Sequence, residues 1–206
     1  LSGSGKTTIA KIVEKDLPRD TLVTLIGSEP FDFEPGTALI YNNSGYFLLG
    51  LVIEEASGQS YEEYVEEHLF GPAGMEDSYY CDERSTVRHR AHGYSWSGPG
   101  RGLLRKSYLN HTWPYAAGSL CSTVGDLAAW TRALHGGKIL SETAYPAMIT
   151  PDTLLDGTRL RYAMGLAVHG AEGHRVIEHG GGINGFLAQS SYYLDDDLIV
   201  VALQNS

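Results

Sequence analysis

Apolar residues fall along this chain in two rhythms, and the change between them divides it. Up to about residue 157 they recur at helical spacing, in runs broken by glycine and proline. Beyond Gly157 short β-prone runs alternate with tight turns. The first part opens with a short helix over about 20–26. A loop follows through Pro30 and Pro35, with a turn signal at Glu34-Pro35-Gly36. The run Tyr46-Phe47-Leu48-Leu49-Gly50-Leu51-Val52-Ile53 predicts a mostly buried helix over 45–56, stopped near Gly58. Ser60 and Glu63 form a capping box for a further helix reaching about Leu69. Its Glu62, Glu63, Glu66 and Glu67 read as a solvated face rather than as metal ligands. Residues 76–116 are irregular, with short strands at best. Thr123-x-x-Asp126 starts a helix that runs through Leu134-His135 to Gly136-Gly137, and a short helix covers 142–148. Strands over 161–168, 174–178, 186–194 and 198–203 then form an antiparallel meander. Helices first and sheet last predict an α+β fold, an antiparallel sheet with packed helices. The last strand is apolar throughout, as expected of one covered on both faces.

Length and composition narrow the picture. The 206 residues suffice for one sizeable core or two small lobes, and 42% apolar with 19% charged residues fits a globular chain. Fifteen basic against 25 acidic residues give a net charge of −10, which argues against a nucleic-acid partner. No apolar run approaches the ~20 residues that span a bilayer. Cys81 and Cys121 are too few and too distant for a metal site; pairing is open to them, but buried free thiols are the expected state.

Two stretches carry candidate chemistry. The first is Tyr41-Asn42-Asn43, where an extended segment meets the helix over 45–56. Read locally it is a helix N-cap, since Asn and Ser accept orphan backbone N–H bonds. The second is His179-Gly180-Gly181-Gly182, at the end of a β-prone run. Read locally it is a bulge or tight turn at a strand end. Between them lies the aromatic-rich stretch 76–116, either a wall of a substrate cleft or a satellite core.

Taken together, Tyr41-x-Asn43 and His179-x-Gly181 resemble two of the three signatures of the serine β-lactamase and penicillin-binding-protein-like superfamily. The nearest branch holds class C β-lactamases, D-Ala-D-Ala carboxypeptidases and related esterases. Phe33-Glu34-Pro35-Gly36, Phe70-Gly71-Pro72-Ala73-Gly74-Met75 and Ala117-Gly118-Ser119-Leu120-Cys121-Ser122-Thr123 look like that family too. The likeness covers about residues 16–206, with a helical and loop part over 16–157 and a sheet part over 158–206. It implies a β-lactamase/transpeptidase-like fold, incomplete at both ends, and acyl transfer through an acyl-enzyme on a small-molecule or peptide substrate with an ester or amide bond. No cofactor is implied. In that scheme Tyr41 is the general acid/base, Asn43 hydrogen-bonds the substrate amide, and His179 stands where relatives often carry Lys. Gly181 keeps a strand edge open, and the N–H of Gly182 is one oxyanion donor. A phenol needs nearby cationic groups to favour phenolate, and His179 is the candidate within this chain. Gly180 departs from the Ser or Thr of many relatives, which favours an esterase, amidase or peptidase-like activity over a β-lactamase.

The third signature, Ser-x-x-Lys, is absent: no Ser in the chain has Lys three residues later, and Thr8-Ile9-Ala10-Lys11 has the spacing with the wrong residue. The chain as it stands is therefore expected not to turn over substrate. Residues 1–15 instead resemble the tail of a P-loop at Gly5-Lys6-Thr7, set apart as an N-terminal remnant. Two other readings stay open, a binding module without a nucleophile and a P-loop nucleotide binder. Compartment and oligomeric state are not readable.

Overall fold

A computed structural model describes residues 17–82 and 84–206. The P-loop-like Gly5-Lys6-Thr7 and the stretch Thr8–Lys11 lie outside the described residues. Helix α1 is Arg19–Ser28 and α2 is Asn43–Ser57. Asn42 caps α2, its side-chain oxygen accepting the Ser44 N–H at 2.6 Å, and Gly58 ends it in the left-handed conformation. The cap is thus Asn42, while Asn43 is the first helical residue. Helix α3, Tyr61–Val65, starts with the expected Ser60/Glu63 capping box. It continues through a π-turn at Glu66–Phe70 into a short α4, Gly71–Ala73.

The stretch 76–116 contains only brief strands, β1 at Tyr79–Tyr80, β2 at Tyr94–Trp96 and β3 at Leu103–Arg105, before a 3₁₀ turn at Tyr115–Ala117. Strand β4, Leu120–Cys121, pairs with β1. Beside that pairing Cys81 and Cys121 form a disulfide, their Cα atoms 5.4 Å apart. The expectation of free thiols is therefore corrected. The two cysteines are brought together because Cys81 donates its N–H to the Ser119 carbonyl next to the β1–β4 register.

The helical core gathers Leu22, Phe47, Tyr61, Val65, Phe70 and Tyr115, all buried. Tyr115 is fully enclosed, with Phe47 and Tyr61 rings both 5.2 Å from it and the Arg19 guanidinium 4.0 Å over its face. Arg19 also pairs with Glu54 at 2.8 Å and so ties α1 to α2. The aromatic stretch divides between the two readings made of it. Tyr80, Trp113 and Tyr115 belong to the core, whereas Trp96 and Tyr108 are exposed.

Thr123 caps α5, Val124–His135, and α6 is Ala144–Ile149. The four-stranded antiparallel sheet has the order β5-β6-β7-β8, with β5 Ala167–Ala171, β6 His174–Ile183, β7 Phe186–Tyr193 and β8 Leu198–Gln204. Three sequence expectations change here. The segment 161–166 is a turn closed by a Tyr162–Ala167 bridge rather than strand. The three glycines after His179 continue β6 in unbroken register instead of ending it. In β8, Leu198 and Val200 are about half exposed, so the strand is covered on one face only. The covered face holds Ser190, whose hydroxyl meets Thr131 of α5 at 2.9 Å.

Candidate active site

Tyr41 sits in the extended segment just before the Asn42 cap, so the start of α2 holds its backbone while its ring stands half exposed. His179 is on β6, on the same sheet face as its register partner Ser190. These two residues, 138 positions apart (179 − 41), meet with ring centroids 5.9 Å apart. A third ring completes the cluster. Tyr162, from the turn before β5, lies 5.9 Å from Tyr41 and 5.9 Å from His179. Its hydroxyl is 3.0 Å from His179 Nε2 and 3.5 Å from the Tyr46 hydroxyl. Neither Tyr162 nor Tyr46 stood out in the sequence. Tyr46 reads as part of an apolar helical run, and Tyr162 as one of several strand positions.

Burial, with the neighbouring Tyr46 adding to it, raises the Tyr41 phenol above the ordinary tyrosine value. The hydrogen bond that His179 makes is to Tyr162, and the groups that shift Tyr41 are its own burial and Tyr46. Burial and the Tyr46 contact also push Tyr162 up strongly. Both phenols therefore keep their protons at neutral pH in this setting. Asn43 is exposed, and its side chain has no hydrogen-bond partner among the described residues.

The glycines of β6 form an open edge. Ile183 and Phe186 close a two-residue hairpin, and Arg175 accepts the Leu194 N–H, so the odd-numbered residues of β6 bond to β7. Gly180 and Gly182 consequently aim their N–H and C=O groups the other way. On that side β5 stops at the Ala167–Glu178 pair, leaving Gly180 to Ile183 without a strand neighbour among the described residues. None of Gly180, Gly181 and Gly182 has a positive φ, and a Cβ at Gly181 or Gly182 would meet only ordinary contacts, at 3.6 Å and 3.5 Å. The chain's own packing thus does not demand glycine at 181 or 182, and the bare edge is free for an extended ligand.

On the opposite sheet face Glu178 accepts from Ser191 at 2.7 Å and Gln189 at 2.9 Å, and lies 2.9 Å from His169. The Ser191 hydroxyl and His169 hold the Glu178 carboxyl below the usual range. This network braces β6 from behind. At the far end of the β6–β7 hairpin a cleft of about 250 Å³ is lined by Arg90, His92, Arg105, Lys106, Tyr108 and Phe186. Among the described residues no cluster of His, Cys, Asp and Glu could hold a metal ion, and no helix is long and apolar enough to cross a membrane.

The family model for beta-lactamase matches residues 5–206, nearly the whole chain. This chain belongs to the beta-lactamase family. Penicillin-binding protein 4* of Bacillus subtilis is 28% identical over 185 residues, covering 84% of this chain and 41% of that protein. D-aminopeptidase of Gluconobacter oxydans is 26% identical, covering 91% and 35%. Among solved structures, a D-stereospecific amidohydrolase from Streptomyces sp. superposes with a TM-score of 0.82 at 26% identity, over 96% of this chain and 59% of that one. The beta-lactamase-family chain described here therefore spans 35–41% of those two curated relatives and 59% of that solved structure. The α+β reading, helices packed on an antiparallel sheet, agrees with these neighbours.

Proposed function

We propose that this chain carries the acid/base and oxyanion side of an acyl-transfer site acting on an amide or ester bond. The observation that carries the reading is the meeting of Tyr41 with His179 beside the open Gly180–Gly182 edge. A substrate laid along that edge gains main-chain hydrogen bonds from β6, and its carbonyl oxygen can accept the Gly182 N–H. The attacking hydroxyl comes from a Ser-x-x-Lys element outside this sequence. As that oxygen adds to the carbonyl carbon, its proton passes to the Lys amine of the same element. Collapse of the tetrahedral intermediate breaks the bond to the leaving amine or alkoxide, which needs a proton. Tyr41, held as phenol, is the donor, and water later releases the acyl group by the reverse traffic. Within this class the kinship with a D-aminopeptidase and a D-stereospecific amidohydrolase supports amide substrates with a D-configured residue at the scissile bond.

The test uses a polypeptide that carries this chain together with a Ser-x-x-Lys helix, assayed on D-alanine p-nitroanilide and on a p-nitrophenyl ester. Tyr41→Phe is expected to lower kcat by about a hundredfold or more. Wild-type turnover by that variant removes Tyr41 from the mechanism. Saturable binding with no turnover in any form supports the binding-module alternative instead.

A further inference from the structure

We propose that Tyr162 is a positioning residue that locks His179 in its Nδ1–H tautomer and fixes the imidazole beside Tyr41. Three observations carry this. First, the Tyr162 hydroxyl has one good partner, His179 Nε2 at 3.0 Å, while the Tyr46 hydroxyl at 3.5 Å is long for an O–H···O bond. A phenol is a better proton donor than a neutral imidazole N–H, and imidazole nitrogen is the better acceptor. O–H···N is therefore the stronger of the two ways to fill the 3.0 Å contact. Burial keeps Tyr162 protonated and able to donate. Second, Nδ1 has no hydrogen-bond partner among the described residues, so the other ring nitrogen imposes no competing choice of tautomer.

Third, Tyr162 is itself held from two sides. Its backbone is bridged to Ala167 at the start of β5, and the turn is closed by the Ala163 N–H donating to the Leu166 carbonyl at 2.8 Å and the Gly165 N–H donating to the Ala163 carbonyl at 2.9 Å. Gly165 has φ +81°, and a Cβ there would lie 3.3 Å from the Tyr46 hydroxyl. This glycine lets the turn press against Tyr46, which sits on the helix that Tyr41 precedes. One side chain thus links the helix that presents Tyr41 to the strand that presents His179. The remaining face of His179 belongs to the sheet, where its register partner Ser190 is occupied by Thr131. The Nδ1–H is left to donate to a bound substrate. That catalytic consequence rests on the acyl-transfer reading; the tautomer does not.

The test is a long-range ¹H–¹⁵N spectrum of the imidazoles of the ¹⁵N-labelled chain at pH 8, with the His179 signals assigned by their loss in His179→Gln. The expected result is a protonated Nδ1 and an unprotonated Nε2, the Nδ1–H form predominating by about twofold or more once one good hydrogen bond has overcome the intrinsic preference for Nε2–H. In Tyr162→Phe the ratio should fall by about tenfold, since free imidazole prefers Nε2–H. An Nε2–H tautomer in the unmodified chain overturns the proposal, as does an unchanged ratio in a folded Tyr162→Phe. If that variant does not fold, the spectrum of the unmodified chain still decides. Wild-type turnover by Tyr41→Phe would sink the acyl-transfer reading and leave the tautomer result standing.

Discussion

Removing the Cys81–Cys121 bridge tests how the irregular middle of the chain is held. The disulfide closes a sequence separation of 40 residues, and the described residues of the enclosed stretch form only two three-residue strands, one 3₁₀ turn and the start of β4. Such a stretch has little local structure to offset its own conformational entropy. A cross-link restricts the unfolded chain by about 3 kcal/mol for a 15-residue loop and about 4.7 kcal/mol for a 100-residue loop, so this one should contribute about 4 kcal/mol. The β1–β4 register beside it is two residues long and cannot replace it. Cys81 is buried, so Cys81→Ala/Cys121→Ala adds a small packing loss. Urea unfolding followed by circular dichroism should show the double variant about 3–5 kcal/mol less stable than the oxidised chain. Its m-value should be higher, because the opened chain exposes more surface when unfolded. A loss below about 1 kcal/mol refutes the loop-closure argument, and two titratable thiols in the unreduced chain refute the pairing itself.

Gly50 lies where α2 crosses the 3₁₀ turn, and a Cβ there would stand 2.5 Å from both Ala116 Cβ and Tyr115 Cε1. Gly50→Ala should therefore lower stability by about 1–3 kcal/mol despite its better helix propensity, read as a drop in the thermal midpoint. Asp126 accepts from the Asp77 N–H at 2.9 Å and the Ser78 hydroxyl at 2.7 Å while nearly buried; Asp126→Ala should cost about 2–3 kcal/mol in urea, and an unchanged midpoint would count against that anchor. Burial lowers His135 to about 4, below the 6.5 of the unfolded chain, so the unfolded state binds a proton first as pH falls. Stability should accordingly decline from about pH 6.5 down to about pH 4 and then stop responding to this residue; His135→Gln should flatten that slope, and an equal slope in the variant removes His135 as its source.

Much of the architecture follows from local sequence. The Ser60/Glu63 box, the Thr123 cap and the glycine at 58 are satisfied by backbone groups within a few residues, so neighbouring positions suffice to place those helix ends. Tyr41, His179 and the glycines after it were also legible, because together they match a family pattern. What the local pattern misassigned depends on distant partners. The glycines of β6 look like a turn until β7 pairs with them residue by residue. Leu198 and Val200 look doubly covered, because apolar composition does not say which face a neighbour reaches. The cysteines looked free because nothing near either one shows that β1 and β4 bring their Cα atoms to 5.4 Å. Tyr162 carried no signal at all: its part in the site comes from a hydroxyl 3.0 Å from the His179 ring on β6, and from a helix residue 116 positions away. The helices and their ends could be placed from the chain alone, since their hydrogen bonds close within a few residues. Which side chains face one another could not be placed that way, because side-chain direction at the site is set by sheet register and by the packing of a turn against α2.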